Sequence, residues 1–187
     1  MVSMNSCTST KLLHTWKDPD TSIRSDGFSK VLVVALAPNN TTRMIAEDQV
    51  ASNDPAFVSS YTIFPDFESV ELNSAKNTLL ERGFEGALTM QLVKVKETQT
   101  YVPTMTISSY SGWNDTYWHG YYQTGYYVSS YDYQIETCVY SLAKDKLLWA
   151  GITETVNQSD IQIVAQEILE TAYTQMLKDG FIVRAEK

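Results

Sequence analysis

Hydrophobic positions along this 187-residue chain switch between two periods, and the switches lay out its elements. Lys30 to Ala37 (KVLVVALA) is an unbroken apolar, β-branched run, the pattern of a strand covered on both faces in a central parallel position. Pro38 to Thr42 supplies turn and N-cap residues. A helix over Arg43 to Ser52 follows, with Met44, Ile45 and Ala51 on its core-facing side. Val58 to Phe64 alternates as a second strand closed by Pro65, so strand, helix and strand predict a right-handed parallel crossover. A second helix, capped by Asn73 or Ser74, runs to Arg82 with Ala75, Leu79 and Leu80 inward and Gly83 at its end. Phe84 to Lys96 reads as a third strand, and Lys94 and Lys96 alternating with Val93 and Val95 leave one of its faces wet.

Beyond a tyrosine-rich stretch, Tyr133 to Leu142 and Leu147 to Val156 form an antiparallel hairpin turned by Ala143 to Lys146. Ser159-Asp160-Ile161-Gln162 matches a capping box, and Ile161, Val164, Ile168, Ala172 and Met176 recur at helical spacing up to Gly180. The predicted fold is α/β (α+β). A mixed sheet carries helices mainly on one face, βαβαβ being followed by an antiparallel hairpin and a C-terminal helix. Residues 1–27 read as a leader and extended segment anchored by Trp16. Residues 28–187 read as a single α/β domain with an aromatic-rich excursion at 101–133.

Charge narrows the partners. A formal net charge of -8 disfavours nucleic acid, which is bound through clustered Lys and Arg. No run of about 18 apolar residues is present to span a bilayer as a helix. Two cysteines, Cys7 and Cys138, are too few for a disulfide framework. Cys7 follows a small residue and precedes a Ser/Thr stretch, as at the start of a mature bacterial lipoprotein, where acyl chains on the Cys tie the domain to a membrane. The other reading of Cys7 is a free thiol in a terminal segment.

Nine of the 12 tyrosines fall between Tyr101 and Tyr133, with Trp113 and Trp118 among them and no lysine or arginine. Such side chains offer a large apolar face with a polar tip, the mixture enriched in contact surfaces. Trp113, Tyr117, Trp118, Tyr121, Tyr122 and Tyr126 are the candidate partner-binding residues for an envelope protein, a glycan or a lipid headgroup. Two other readings stand beside this one: a long hairpin whose aromatics pair across strands, and a loop with no fixed partner.

The chain carries no recognisable catalytic, metal or cofactor constellation. Asp115 and His119 are two ligands where zinc takes three or four. Cys138 sits in a strand and reads as a buried thiol. Glu47 with Asp48, and Glu167 with Glu170, read as solvated helix faces. Gly83 and Gly86 lack the lysine of a phosphate-binding loop. The expected catalytic residues are therefore none, the expected metal and cofactor none, and the chain is read as a non-enzyme.

Several segments resemble a family of bacterial envelope lipoproteins, a domain of unknown function: Ser6 to Thr10, Thr15 to Pro19, Lys30 to Ala37, Ser60 to Pro65, Tyr140 to Leu142, Asp145 to Trp149, Thr153 to Thr155, and Leu177 to Ile182. The resemblance implies a lipid-anchored, periplasm-facing domain at a membrane of the cell envelope, an α/β sandwich similar to the amino-terminal domain of TolB-type proteins, and no catalytic residues. With Cys7 as lipid attachment, the function read here is non-enzymatic binding or assembly through the aromatic segment. The alternatives are a hydrolase with its site near His119, a small-molecule carrier and, for localisation, a soluble chain.

Overall fold

The β-branched run forms a strand with an apolar neighbour on either side, as its composition demands. In the computed structural model, which describes residues 9–24, 27–65, 72–103 and 125–183, this strand is β3 (Val31–Leu36). It lies between β4 (Phe57–Ser59) and β5 (Gly86–Pro103), parallel to both. Antiparallel pairing continues from β5 to β6 (Gly125–Ser141), β7 (Lys146–Val156) and β1 (Thr10–Lys17), giving a six-stranded sheet of order β1-β7-β6-β5-β3-β4. A small parallel pair, β2 (Ile23–Arg24) with β8 (Ile182–Val183), forms a second sheet.

Two helices, α1 (Asn40–Ala51) and α3 (Ile161–Lys178), cover one face of the sheet, and α2 (Leu72–Glu81) lies against the other. Val31, Val33 and Ala35 point into the core shared with α1 and α3, while Leu32 and Val34 pack with Leu79 and Phe84. The mixed α/β class with helices mainly on one face is thus the observed one. Both α2 and α3 end in a Schellman turn on the glycine that the sequence marks. Gly83 (φ +78°) and Gly180 (φ +64°) take the left-handed conformation, and Phe84 and Phe181 donate back to Leu79 and Met176. Asp160, rather than Ser159, caps α3, its carboxylate accepting from the backbone N–H of Gln162 at 2.9 Å and Ile163 at 3.3 Å.

The α1 face differs from expectation. Its buried residues are Arg43, Ala46, Glu47 and Val50, whereas Met44 is exposed. The cause lies in the sheet: β4 pairs with β3 only as far as Val33, so the N–H of Ala35 has no strand to meet on that side. The Glu47 carboxylate accepts it instead at 3.0 Å, which rotates α1 to bring its Arg43–Glu47 pair inward. The same need shortens β4. The expected strand to Phe64 stops at Ser59, and a 3-10 turn over Ser60–Thr62 delivers the Ser60 hydroxyl and the Tyr61 N–H to Glu47. In α2, Leu79 is buried but Leu80 is exposed, also unlike the expectation.

Within the stretch read as leader and extended segment, Thr10–Lys17 is strand β1 of the sheet, hydrogen-bonded along β7. Trp16 does not anchor it. Its ring, opposite Ala150, is about half exposed on the face without α1 and α3. The strand is fastened at its ends. Asp18 receives Lys146 at 2.8 Å, and its N–H donates to Leu148. The Lys146 contact, with a hydrogen bond from Thr21, holds the Asp18 carboxyl below its ordinary range.

Candidate functional site

Of the residues singled out for binding, Trp113, Tyr117, Trp118, Tyr121 and Tyr122 lie outside the described residues, as do Cys7, Asp115 and His119. Tyr126 falls in β6, opposite Val102. What the described residues do show is the root of the excursion. β7 leaves β6 at the pair Asp132 and Val156, and β3 leaves β5 at Leu36 and Gln91. Among the described residues, from Glu97 and Tyr131 outward to Pro103 and Gly125 β5 and β6 pair with no other strand, the Tyr131 carbonyl accepting a last hydrogen bond from Asn157. Six steps at about 3.4 Å make this two-stranded arm about 20 Å long.

Such a ribbon has two open edges and little core, so its own side chains must hold it. At its base, Glu97 accepts hydrogen bonds from the Ser129 hydroxyl at 3.0 Å, from Gln99 at 3.4 Å and from the Tyr131 hydroxyl at 3.4 Å. Ser129 and Gln99 in particular keep the Glu97 carboxyl below its usual range. A bulge between Leu92 and Lys94 offsets the register below the arm and leaves Val93 and Val95 about half exposed, so the apolar residues of this stretch are wet as well as the lysines. Farther out, Tyr127 is 69% exposed and Val128 43%. The arm presents aromatic and β-branched side chains to solvent without a cation among them.

The second feature is an apolar cavity of about 260 Å³ at the same end of the sheet. Its floor is the sheet, at Ala35, Met90 and Ile135, and its walls are Ala46 of α1 and Ile168 of α3. Thr42, Gln158 and Ser159 are the polar residues at its rim, near the N-termini of α1 and α3, and Tyr133 closes the side toward the arm. Small side chains leave this space open. Its one sequence signal is the set of alanines, Ala35, Ala37, Ala46 and Ala165, where two helices and a strand end converge.

A third feature governs where the chain enters the domain. Ser9 donates its hydroxyl to Glu167 at 2.7 Å and its N–H at 3.3 Å, and Thr10 adds a hydroxyl at 2.8 Å. The Ser9 carbonyl accepts from Val156, which fixes it beside the arm root. Glu167 is therefore a clamp and not a solvated helix face. Partial burial pushes its carboxyl upward, but the hydrogen bonds from Ser9 and Thr10 together outweigh it and hold the group below its ordinary range.

A depressed carboxylate stabilises the fold above the ordinary glutamate value and loses that contribution as pH falls through the lowered one. Glu167→Gln is thus expected to lower the urea midpoint at pH 7. The gap to the unaltered protein should close on acidification, when the native carboxyl is protonated too. A gap that stays constant from pH 7 to pH 3 contradicts the clamp.

Cys138 is buried, as read from its strand context, and burial pushes its thiol up, away from the reactive thiolate. Glu47, read as solvated, is fully buried. Among the described residues, no group of three or more His, Cys, Asp or Glu could hold a metal ion, and no helix is long and apolar enough to cross a membrane.

No protein-family model and no curated protein matches the chain. Among solved structures it is similar to the PelC dodecamer from Paraburkholderia phytofirmans, with a TM-score of 0.44 and 9% identity over 87% of this chain and 94% of that one. It is also similar to lipoprotein GNA1162 from Neisseria meningitidis, with a TM-score of 0.39 and 12% identity over 80% of this chain and 99% of that one. Matches this loose carry no argument about the site, which rests on this chain's own residues.

Proposed function

We propose that this is a non-enzymatic binding protein of the bacterial cell envelope, anchored through Cys7, that holds an envelope protein or glycan with its β5–β6 arm. The observation carrying this reading is the arm itself: a ribbon that leaves the sheet for about 20 Å and exposes Tyr127, Val128 and Tyr131. An isolated two-stranded ribbon is marginal in water, so packing its exposed side chains on a partner stabilises both. The envelope assignment draws on the lipoprotein-like residues around Cys7, and the acidic surface argues against nucleic acid.

Site-specific photo-crosslinking in a bacterial host tests the reading. With the probe in place of Tyr127, covalent adducts in the membrane fraction are expected to be at least tenfold more abundant than with the probe in place of Lys144, at the opposite end of β6 and β7. Equal yields from the two positions would show that the arm is no contact surface. A full-length chain recovered from the soluble fraction, with Cys7 unmodified by mass spectrometry, would remove the envelope assignment.

A further inference from the structure

We propose that the cavity between α1, α3 and the sheet is a binding site for a single acyl or alkyl chain bearing an uncharged head. Its inner surface is supplied by Ala35, Ala46, Met90, Ile135 and Ile168, none of which offers a side-chain hydrogen bond. A lining this apolar holds water weakly and favours an apolar guest. At roughly 30 Å³ per methylene, close to the share of one water in the liquid, 260 Å³ holds about eight carbons. That volume matches a single short chain.

The rim fixes the head. Thr42, Gln158 and Ser159 donate and accept hydrogen bonds without charge, and among the described residues no lysine, arginine or histidine lines the cavity. The charged groups beside the rim residues in the chain are already engaged: Asp160, next to Ser159, caps α3, and Arg43, next to Thr42, is paired with the buried Glu47. An alcohol, ester or amide meets this rim with its hydrogen bonds satisfied. A carboxylate meets no cation among the described lining residues. The site is independent of the arm reading, because no described residue of the arm lines it.

The test is a series of NMR titrations of the full chain with 1-hexanol, 1-octanol, 1-decanol and 1-dodecanol. Burial of each methylene is worth about 0.8 kcal/mol, or roughly fourfold in affinity. Binding is expected to tighten by about that factor per carbon up to about eight carbons and to level off beyond, with shifts centred on Ala35, Ala46, Met90, Ile135 and Ile168. Affinity that climbs unchanged through 1-dodecanol, or that never saturates, marks adsorption to exposed surface and overturns the site.

Ala46→Leu fills the cavity and is expected to weaken 1-octanol at least tenfold while keeping the thermal midpoint. Ile161→Trp, which blocks the rim, gives the same comparison should the first variant not fold. Undiminished binding in a folded variant refutes the site. Octanoate is expected to bind at least tenfold more weakly than 1-octanol, and equal affinity overturns the uncharged head.

Discussion

Gly151→Ala is expected to destabilise the domain by about 3 kcal/mol, although alanine is ordinarily the better strand residue. A Cβ at position 151 would stand 2.3 Å from Cη2 of Trp149, with two further ring atoms at 2.9 and 3.0 Å. The indole cannot give way cheaply. Trp149 is fully buried under α3, and its Nε1–H donates to Asp179 at 3.1 Å, at the C-cap of that helix. The backbone entropy saved by replacing glycine is about 0.5–1 kcal/mol, and overpacking a rigid core costs about 1–3 kcal/mol or more, so the clash decides the sign. Urea unfolding of Gly151→Ala, Trp149→Leu and the double variant checks the cause. The two changes should be strongly sub-additive, because a leucine leaves room for the new methyl group. Simple additivity, or a loss under 1 kcal/mol, would show that the ring and the glycine do not constrain each other.

Glu47→Leu is expected to cost about 3–5 kcal/mol, the range for leaving one member of a buried ion pair without its partner. Glu47 Oε1 accepts from Ala35 N–H at 3.0 Å, Arg43 Nε at 3.0 Å and the Ser60 hydroxyl at 2.7 Å, and Oε2 accepts from Tyr61 N–H at 3.0 Å. Leucine fills a similar volume and strands all four donors. Arg43 keeps Ser60 and the Phe64 carbonyl as neighbours but loses its counter-charge. Converting both members, Arg43→Met with Glu47→Leu, should recover part of the loss and no more, since the N–H groups of Ala35 and Tyr61 stay unsatisfied. Chemical denaturation of the three variants measures this. Full recovery in the double variant would reduce the network to a charge pair and remove its role in finishing the edge of β3.

The contrast between these two sites marks what the sequence discloses. β3, the β6–β7 hairpin and α3 were legible because each has an apolar period long enough to fix its buried side, and the two helix-ending glycines because only a left-handed turn needs them there. The inward face of α1 was not. Arg43 and Glu47 look solvated in any helical projection, and only the early end of β4 makes their burial favourable. β1 was hidden for a related reason. TKLLHTWK alternates weakly, and it becomes a strand by completing β7 and by its clamps at Glu167 and Lys146. For the candidate site, the tyrosine excess pointed to the arm, and of its three readings the described residues show a hairpin at the root. The cavity left only its alanines as a trace, since an empty volume is a property of the packed assembly and not of any segment.

The clamp on Ser9 has a consequence for orientation. Cys7 is two residues from Ser9 in the sequence, a chain reach of about 7 Å from the point where Glu167 and Val156 hold Ser9. The arm leaves the sheet at that end, and the rim of the cavity opens there. The turn at 142–145 marks the opposite end. With Cys7 as the attachment point proposed above, so short a leash keeps the ribbon root and the cavity rim nearer the attachment surface than the β6–β7 turn.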